Sequence, residues 1–194
     1  MKKQLSEMTL EELWELFPII LTEHQACWRG WYLEEAQRIQ AFLSIPEMKL
    51  HHIGSTSIEA IWAKPIIDIM LEISKQDSME EAKEIFIQNG YICMHEELGR
   101  KSFNRGYTID GFADRVFHLH LRYIGDNDEL YFRDYMKEHV DLAAEYEKMK
   151  LSLWKQYKHN RDGYTEAKGA FIRKYTEEAK REYGERYSEN GGGK

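Results

Sequence analysis

The sequence predicts an α+β fold, in which helices pack on a mixed sheet of about five strands and a helical segment follows. The stretch from residue 66 to residue 73 alternates between apolar and mixed side chains, which is the period of a strand. Two further strand-like runs flank Asp110-Gly111, a dipeptide typical of hairpin turns. From residue 127 almost to the end, apolar residues recur at helical spacing. The strands therefore precede residue 127, and helices follow it.

Caps, turns and periodicity predict the remaining elements. Thr9 and Glu12 form a capping box that begins a helix ending at Phe17. A brief strand is predicted at 19–21, and the strand at 66–73 is expected to continue through a crossover helix into a further strand. The other predicted elements are a helix over 26–43, a strand over 48–53, a helix from 78 to 89, a strand over 91–94, hairpin strands over 101–109 and 115–124, and helices over 128–138, from 141 onwards and over 164–183.

Length and charge bound the organisation and the class of partner. For 194 residues we expect one domain at 1–187, with an N-terminal helix within 1–18, a helical segment at 127–187 and a glycine-rich tail at 188–194. The formal charge of −7 argues against broad nucleic-acid binding, which needs clustered basic surface. It leaves room for one basic cleft around a small phosphorylated ligand.

Cysteine usage and the N-terminal sequence predict the compartment. Cys27 and Cys93 do not have the spacing of metal ligands, and free thiols are typical of a reducing cytosol. The first ten residues lack the apolar core of a signal peptide, and no run approaches the length of a membrane span. We therefore expect a cytoplasmic protein with no membrane partner.

The strand predicted at 66–73 carries a carboxylate among isoleucines. Asp68, Met70 and Glu72 share one face, which we expect to border a cleft. A carboxylate at Asp68 must be paired, solvated or bound to a metal, because burying it alone is costly. It is the first candidate for function, and the alternative is an acid that pairs with a nearby lysine or arginine. The opposite face belongs against a core and consists of Ile67, Ile69, Leu71 and Ile73.

A glycine turn precedes this strand. Gly54 lets backbone N–H groups approach a phosphate closely, and Ser55 and Thr56 add hydroxyl donors. A helical turn is predicted to begin at about Ser57 and to favour an anion at its N-terminus. The turn and the acid together suggest a site where the loop holds a triphosphate and Asp68 holds a bridging Mg²⁺.

Two histidines share one face of the second hairpin strand. If the hairpin pairs with the central strand, His118 and His120 reach the space around Asp68. Imidazole suits Zn²⁺ better than Mg²⁺, so the three residues can form a metal set with an open position for water. The equal alternative is one histidine hydrogen-bonded within the sheet and one on the surface.

Several motifs resemble the GrpB family, also called UPF0157, within the nucleotidyltransferase superfamily. The resemblance extends from about Ile20 to Glu178. It is carried by HIGSTS at 52–57, KPIIDI at 64–69, FRDY at 132–135, FHLH at 117–120 and YTEAK at 164–168. It implies transfer of a nucleotidyl group from a nucleoside triphosphate to a small acceptor, assisted by a divalent metal. It also makes Lys168 a ligand candidate.

The sequence departs from the superfamily's acidic pattern. Met70 stands where active members carry a second acid, and the histidine strand stands where a third acid is usual. Three functions remain open: nucleotidyl transfer, a degenerate module that binds a nucleotide or phosphorylated small molecule, and a metal-dependent hydrolase. The expected metal is Mg²⁺ or Mn²⁺, or Zn²⁺ with the histidines. The predicted catalytic and metal-binding residues are Asp68, His118 and His120. The predicted phosphate-binding residues are Gly54, Ser55, Thr56, Lys64, Arg115 and Lys168.

Overall fold

A computed structural model describes residues 3–187, and it confirms the α+β class. The helices are α1 (Leu10–Leu16), α2 (Cys27–Phe42), α3 (Met79–Gln88), α4 (Asp128–Glu138), α5 (Val140–Gln156) and α6 (Arg161–Tyr183). The strands are β1 (Lys49–Ile53), β2 (Ile66–Ile73), β3 (Ile92–Glu97), β4 (Arg100–Thr108) and β5 (Gly111–Tyr123). Short 3-10 turns lie at Leu5–Glu7 and Ser55–Ser57. The tail predicted at 188–194 lies outside the described residues.

The described strands form one mixed sheet in the order β1-β2-β5-β4-β3. Strand β2 runs parallel to β5, and the other neighbouring pairs are antiparallel. The β4–β5 hairpin thus inserts between β2 and the β3 strand that follows its crossover helix. The parallel register sets Asp68 opposite His118 and Met70 opposite His120. The predicted pairing of the hairpin with the central strand is therefore confirmed.

The two faces of the sheet pack against different helices. Helices α2 and α3 cover one face, where Trp28 and Phe86 pack on β2 and β5. All four apolar residues predicted for this face of β2 are fully buried. The C-terminal helices cover the opposite face, where Met70 packs against Ile53 and Leu130. At the other end of this face, next to Asp68, the helices leave a cavity.

Local predictions fail where a tertiary contact replaces a local signal. Residues 19–21 form no strand, and the segment is held instead by an isolated bridge between Thr22 and Ala63. The helical turn predicted from Ser57 is a single 3-10 turn that begins two residues earlier. Glu72, on the strand face expected to border a cleft, is instead buried, where it accepts hydrogen bonds from Asn127 and Gly125 and pairs with His51.

The last helix begins earlier than predicted. Asn160 caps α6, so the helix starts at Arg161 and includes residues that the sequence assigned to a connector. The cap places Arg161 in the first turn, on the border of the cavity. Among residues 3–187, no helix is both long enough and apolar enough to cross a membrane.

Candidate functional site

A cavity of about 750 Å³ lies between the sheet and the C-terminal helices. Its sheet side is formed by the 3-10 turn after β1, by the first half of β2 and by His118 and His120 in the second half of β5. Helices α4, α5 and α6 form the opposite side. The chemically active residues that border it are Gly54, Ser55, Thr56, Lys64, Asp68, His118, His120, Tyr146, Lys150, Arg161, Tyr164 and Lys168. Most of the predicted site residues are therefore gathered in one place.

Asp68 lies between the two histidines of β5. Its Oδ1 is 3.3 Å from Nδ1 of His118 and 3.7 Å from Nε2 of His120. Burial opposes ionisation of Asp68, but the hydrogen bonds with both histidines outweigh it and hold the pKa of the carboxyl well below its usual range. Burial lowers the pKa of His118, although Asp68 partly offsets this. At neutral pH the group is a carboxylate held by histidines.

Gly54 is required by the closeness of the turn to Asp68. Its φ is +67°, a region that residues with a side chain rarely adopt. A Cβ at this position would lie 2.9 Å from Cγ of Asp68 and closer still to Oδ2. The turn therefore touches the carboxylate through a bare Cα, and any side chain at position 54 would displace one of them.

The two hydroxyls after Gly54 serve different purposes. Ser55 is hydrogen-bonded to the Tyr146 hydroxyl, which ties the turn to α5 across the cavity. Thr56 is buried, where its Oγ1 donates to the Ile66 carbonyl and lies 3.0 Å from Nε2 of His52. Thr56 thus fixes the shape of the turn, and Ser55 is the better placed of the two to meet a ligand.

Among the residues that the structure describes, six cations border the cavity, and four of them form a cluster near the glycine turn: Lys64, Lys150, Arg161 and Lys168. The ammonium groups of Lys64 and Lys168 lie 5.6 and 4.5 Å from the centroid of the Tyr164 ring. Lys150 Nζ lies 4.7 Å from the centroid of the Tyr146 ring and donates to the Trp62 carbonyl. Within residues 3–187, none of the four is in an ion pair with a carboxylate.

The lysines of this cationic cluster are in an environment that opposes their charge. Burial, with repulsion from Lys168 and Arg161, lowers the pKa of Lys64 to about 7. Burial and repulsion from Lys168 likewise lower the pKa of Lys150 to about 7. Burial lowers the pKa of Lys168 to about 8, with Asp68 acting in the opposite direction. Buried cations are normally paired, so this cluster is suited to an anionic ligand.

A hydrogen-bonded chain connects Asp68 to α6. His118 Nε2 lies 2.7 Å from the Tyr107 hydroxyl, which accepts a hydrogen bond of 2.9 Å from Arg161. Both ring nitrogens of His118 therefore have partners, since Nδ1 faces Asp68. The chain positions both the carboxylate and the guanidinium, and it crosses from the sheet to the helix on the opposite side of the cavity.

The predicted metal ligands, Asp68, His118 and His120, lie close together but are not arranged to hold a metal ion. Among the described residues, no group of three or more His, Cys, Asp or Glu side chains is arranged to hold a metal ion. The physical reason is that Tyr107 occupies the second nitrogen of His118, and the imidazoles contact the carboxylate rather than a shared point. Met70 supplies no oxygen and is fully buried. These residues do not fit the resident metal that the superfamily implies.

Arg115 is the predicted phosphate ligand that the structure places elsewhere. Its guanidinium forms an ion pair with Glu34 and lies 5.4 Å from the centroid of the Trp31 ring. The side chain contacts the middle of α2 and does not border the cavity that His118 and His120 face. We therefore leave Arg115 out of the site.

The sequence analysis missed four residues that border or support the cavity: Tyr107, Tyr146, Lys150 and Arg161. The two tyrosines were assigned to packing. For Lys150 a signal existed, since it lies one helical turn after Tyr146 and so on a largely apolar stripe. Arg161 precedes residue 164, where the last helix was predicted to begin. Only the cap at Asn160 shows that the helix begins earlier and includes Arg161.

Comparisons of this sequence with known proteins agree on one family. A family described as GrpB protein matches residues 18–178. The UPF0157 protein YqkA of Bacillus subtilis is 32% identical over 159 residues, which is 79% of this chain and 45% of that protein. The glutamate-rich protein GrpB of Alkalihalophilus pseudofirmus is 26% identical over 160 residues, 79% of this chain and 91% of that protein. This chain thus spans less than half the length of YqkA.

Among solved structures, this chain is similar to a GrpB protein and, more distantly, to a poly(U) polymerase. The conserved protein GrpB from Enterococcus faecalis superposes with a TM-score of 0.73 at 31% identity, over 84% of this chain and 99% of that one. The Cid1 poly(U) polymerase superposes with a TM-score of 0.51 at 10% identity, over 81% of this chain and 51% of that one. The second likeness shows a shared nucleotidyltransferase-like fold and nothing further.

Proposed function

This chain belongs to the GrpB family, and we propose that it binds the triphosphate of a nucleotide in the cavity between the sheet and the C-terminal helices. The observation that carries this proposal is the cationic cluster. One buried lysine, two half-buried lysines and an arginine, none of them in an ion pair with a carboxylate within residues 3–187, border the cavity beside the glycine turn. Phosphate oxygens would supply the negative charge that these cations do not receive from a carboxylate.

The glycine turn and the cationic cluster would each contribute different contacts to the phosphates. The bare Cα of Gly54 leaves room for close approach, and Ser55 adds a hydroxyl donor. Arg161 offers a planar fork to two oxygens, while Lys64 and Lys168 act as compact charges. These groups face the cavity from both the turn and α6, so a linear chain of phosphates between them can contact both sets.

The size and the remaining lining favour a nucleotide over a bare phosphate. A volume of about 750 Å³ exceeds what a small inorganic ion needs and lies within the range of sites for small organic molecules. Phe132 and Ile172 add apolar surface, and Thr176 and Glu129 add polar groups away from the lysines. The Cid1 structure is described as bound to magnesium and 3'-dATP, and the latter belongs to the class of ligand proposed for this cavity.

Nucleotidyl transfer is a second candidate, favoured by the position of His120 beside Asp68. In such a reaction the hydroxyl oxygen of an acceptor bonds to the α-phosphorus, and the bond from that phosphorus to the bridging oxygen breaks to release pyrophosphate. His120, oriented by Asp68, would take the proton of the hydroxyl. Release of pyrophosphate on addition of an acceptor would distinguish a transferase from a binding module.

Calorimetric titration with the four ribonucleoside triphosphates tests the binding site. We expect saturable binding by the wild type and binding weakened by about tenfold or more in Lys150→Met, because one charged hydrogen bond contributes about 1.5–3 kcal/mol. Lys148→Met is the matched control, since Lys148 is exposed on the same helix two residues away. Lys150→Arg should restore most of the affinity.

Two results would reject the proposal. One is the absence of measurable binding of any triphosphate to folded wild-type protein. The other is equal affinity in Lys150→Met, Lys148→Met and the wild type, because the cluster would then have no part in binding. Circular dichroism of each variant establishes that it is folded before the titrations are compared.

A further inference from the structure

Resting on the proposed triphosphate site, we propose that the ligand is bound as a metal-free polyphosphate anion, with its charge neutralised by the lysines and arginine of the cationic cluster instead of by Mg²⁺. The resemblance to the nucleotidyltransferase superfamily implies a pair of acidic metal ligands, whereas Asp68 is flanked here by two histidines and by the cationic cluster. The cavity would then select the metal-free triphosphate over its magnesium complex.

Both oxygens of the Asp68 carboxylate contact protein groups, while the side chain stays 28% exposed to the cavity. Oδ1 faces the imidazoles of His118 and His120, and Oδ2 lies against the Cα of Gly54. Two residues along the strand, Met70 offers a thioether that packs on Ile53 and Leu130. Mg²⁺ requires several oxygen ligands in nearly octahedral geometry, and this part of the cavity offers no second carboxylate.

The other carboxylates around the cavity do not replace the missing pair. Asp128 is 2.5 Å from Lys180, and Glu129 is 3.6 Å from Arg122, so both already have cationic partners. Asp162 and Glu177 are exposed on α6. Their positions are separated by about 22 Å at helical rise, which prevents them from sharing one ion.

The charge of the cluster matches a free triphosphate. The four cations of the cluster and Asp68 together carry a formal charge of +3 when all the lysines are protonated, although the remaining charged residues of the described lining bring the whole cavity to +1. A free nucleoside triphosphate carries about −4 at neutral pH and its Mg²⁺ complex about −2, so the free anion satisfies the cluster better. A divalent cation within the cluster would add repulsion to groups that already repel each other.

The protonation state of the lysines supports the same conclusion. In the free protein, burial and mutual repulsion hold the pKa of Lys64 and Lys150 near 7. A polyphosphate among them would raise these pKa values, so the protein would take up protons as it binds. A ligand that arrives already neutralised by Mg²⁺ would produce less uptake.

The test is a pair of titrations with ATP and with inorganic tripolyphosphate, one in EDTA and one in excess MgCl₂. We expect binding in EDTA to be tighter by at least about tenfold, which corresponds to about 1.4 kcal/mol. Proton uptake follows from repeating the EDTA titration in buffers of different ionisation enthalpy. If binding occurs only with MgCl₂, or is at least as tight with it, the inference is overturned and the triphosphate site stands. If neither titration shows binding, the site itself is rejected.

Asp68→Asn provides an independent readout. The substitution keeps the shape of the side chain and removes one negative charge from an anion site, so metal-free binding should be equal or tighter. A ligand held through a metal on Asp68 would instead lose most of its affinity. The comparison of EDTA with MgCl₂ uses only wild-type protein, so it decides the inference even if Asp68→Asn does not fold.

Discussion

The two faces of strand β2 differ in what covers them and in what they contain. On one face, Ile67 and Ile69 are fully buried under helices that adjoin the strand in sequence. On the other, Asp68 is 28% exposed to a cavity bordered by helices from the C-terminal third of the chain. The alternation of a strand therefore identifies which residues share a face, but the covering elements decide whether that face becomes a core or a site.

This difference predicts that stability and ligand binding can be changed separately. The face under α2 and α3 consists of close-packed apolar side chains, so its substitutions should act on the free energy of unfolding. The cavity face holds cations in an unfavourable environment, so its substitutions should act on affinity and can even favour folding. The four predictions below test this separation in order of expected effect.

The largest effect is expected from Ile69→Ala on the close-packed face. Ile69 is fully buried in the cluster that contains Trp28 and Phe86. Deleting three carbons there leaves a cavity, so the free energy of unfolding should fall by about 2–5 kcal/mol in urea titrations. The affinity of the folded variant for ATP should be unchanged. A large loss of affinity without loss of stability would contradict the separation of the two faces.

Lys168→Met should give the converse result. The ammonium group loses its contact with phosphate, so affinity for ATP should weaken by about 1.5–3 kcal/mol. Because burial lowers the pKa of Lys168 to about 8, its charge disfavours the folded state at neutral pH. The variant should therefore be as stable as the wild type or more so. Lys174→Met is the control, since Lys174 is exposed on the same helix. Reduced stability together with unchanged affinity would assign Lys168 a structural role.

Raising the pH should weaken binding over a defined range. In the free protein the pKa is about 7 for Lys64 and Lys150 and about 8 for Lys168, and bound phosphate raises each value. Below pH 7 the lysines are largely protonated before binding, whereas above pH 8 protons must be taken from solvent. Affinity for ATP in EDTA should thus fall by at least about tenfold between pH 8 and pH 9. Affinity that stays constant over this range would show that the lysines do not change protonation on binding.

The sequence predicted the close-packed face better than the cavity. Period two along β2 and β5 was enough to place Ile69, Leu119 and Asp68 on the correct faces, because alternation is a property of a single strand. The Asp110-Gly111 turn predicted the hairpin for the same local reason. The family motifs added the nucleotidyltransferase-like fold, which the comparison with Cid1 confirms.

The rest of the site depends on contacts between distant segments, which local patterns do not contain. Lys150 and Arg161 approach Lys64 only because α5 and α6 fold back across the sheet. Tyr107 becomes the partner of His118 through hairpin register and side-chain direction together. For the same reason, the spacing of Asp68 and the two histidines did not reveal the tyrosine that contacts His118.

The smallest effect is expected from Arg115→Ala, which compares two arginines that look alike in sequence. Arg115 is paired with Glu34 at an exposed position, and such pairs contribute about 0–1 kcal/mol to stability. Its removal should leave the affinity for ATP unchanged, because the guanidinium does not border the cavity. Arg161→Ala should weaken the same affinity strongly, since it removes a cation of the cluster and the donor to Tyr107. Parallel ATP titrations of both variants make the comparison. Weakened binding in Arg115→Ala would mean that the ligand reaches the surface next to Glu34 on α2, and the site would then extend beyond the cavity.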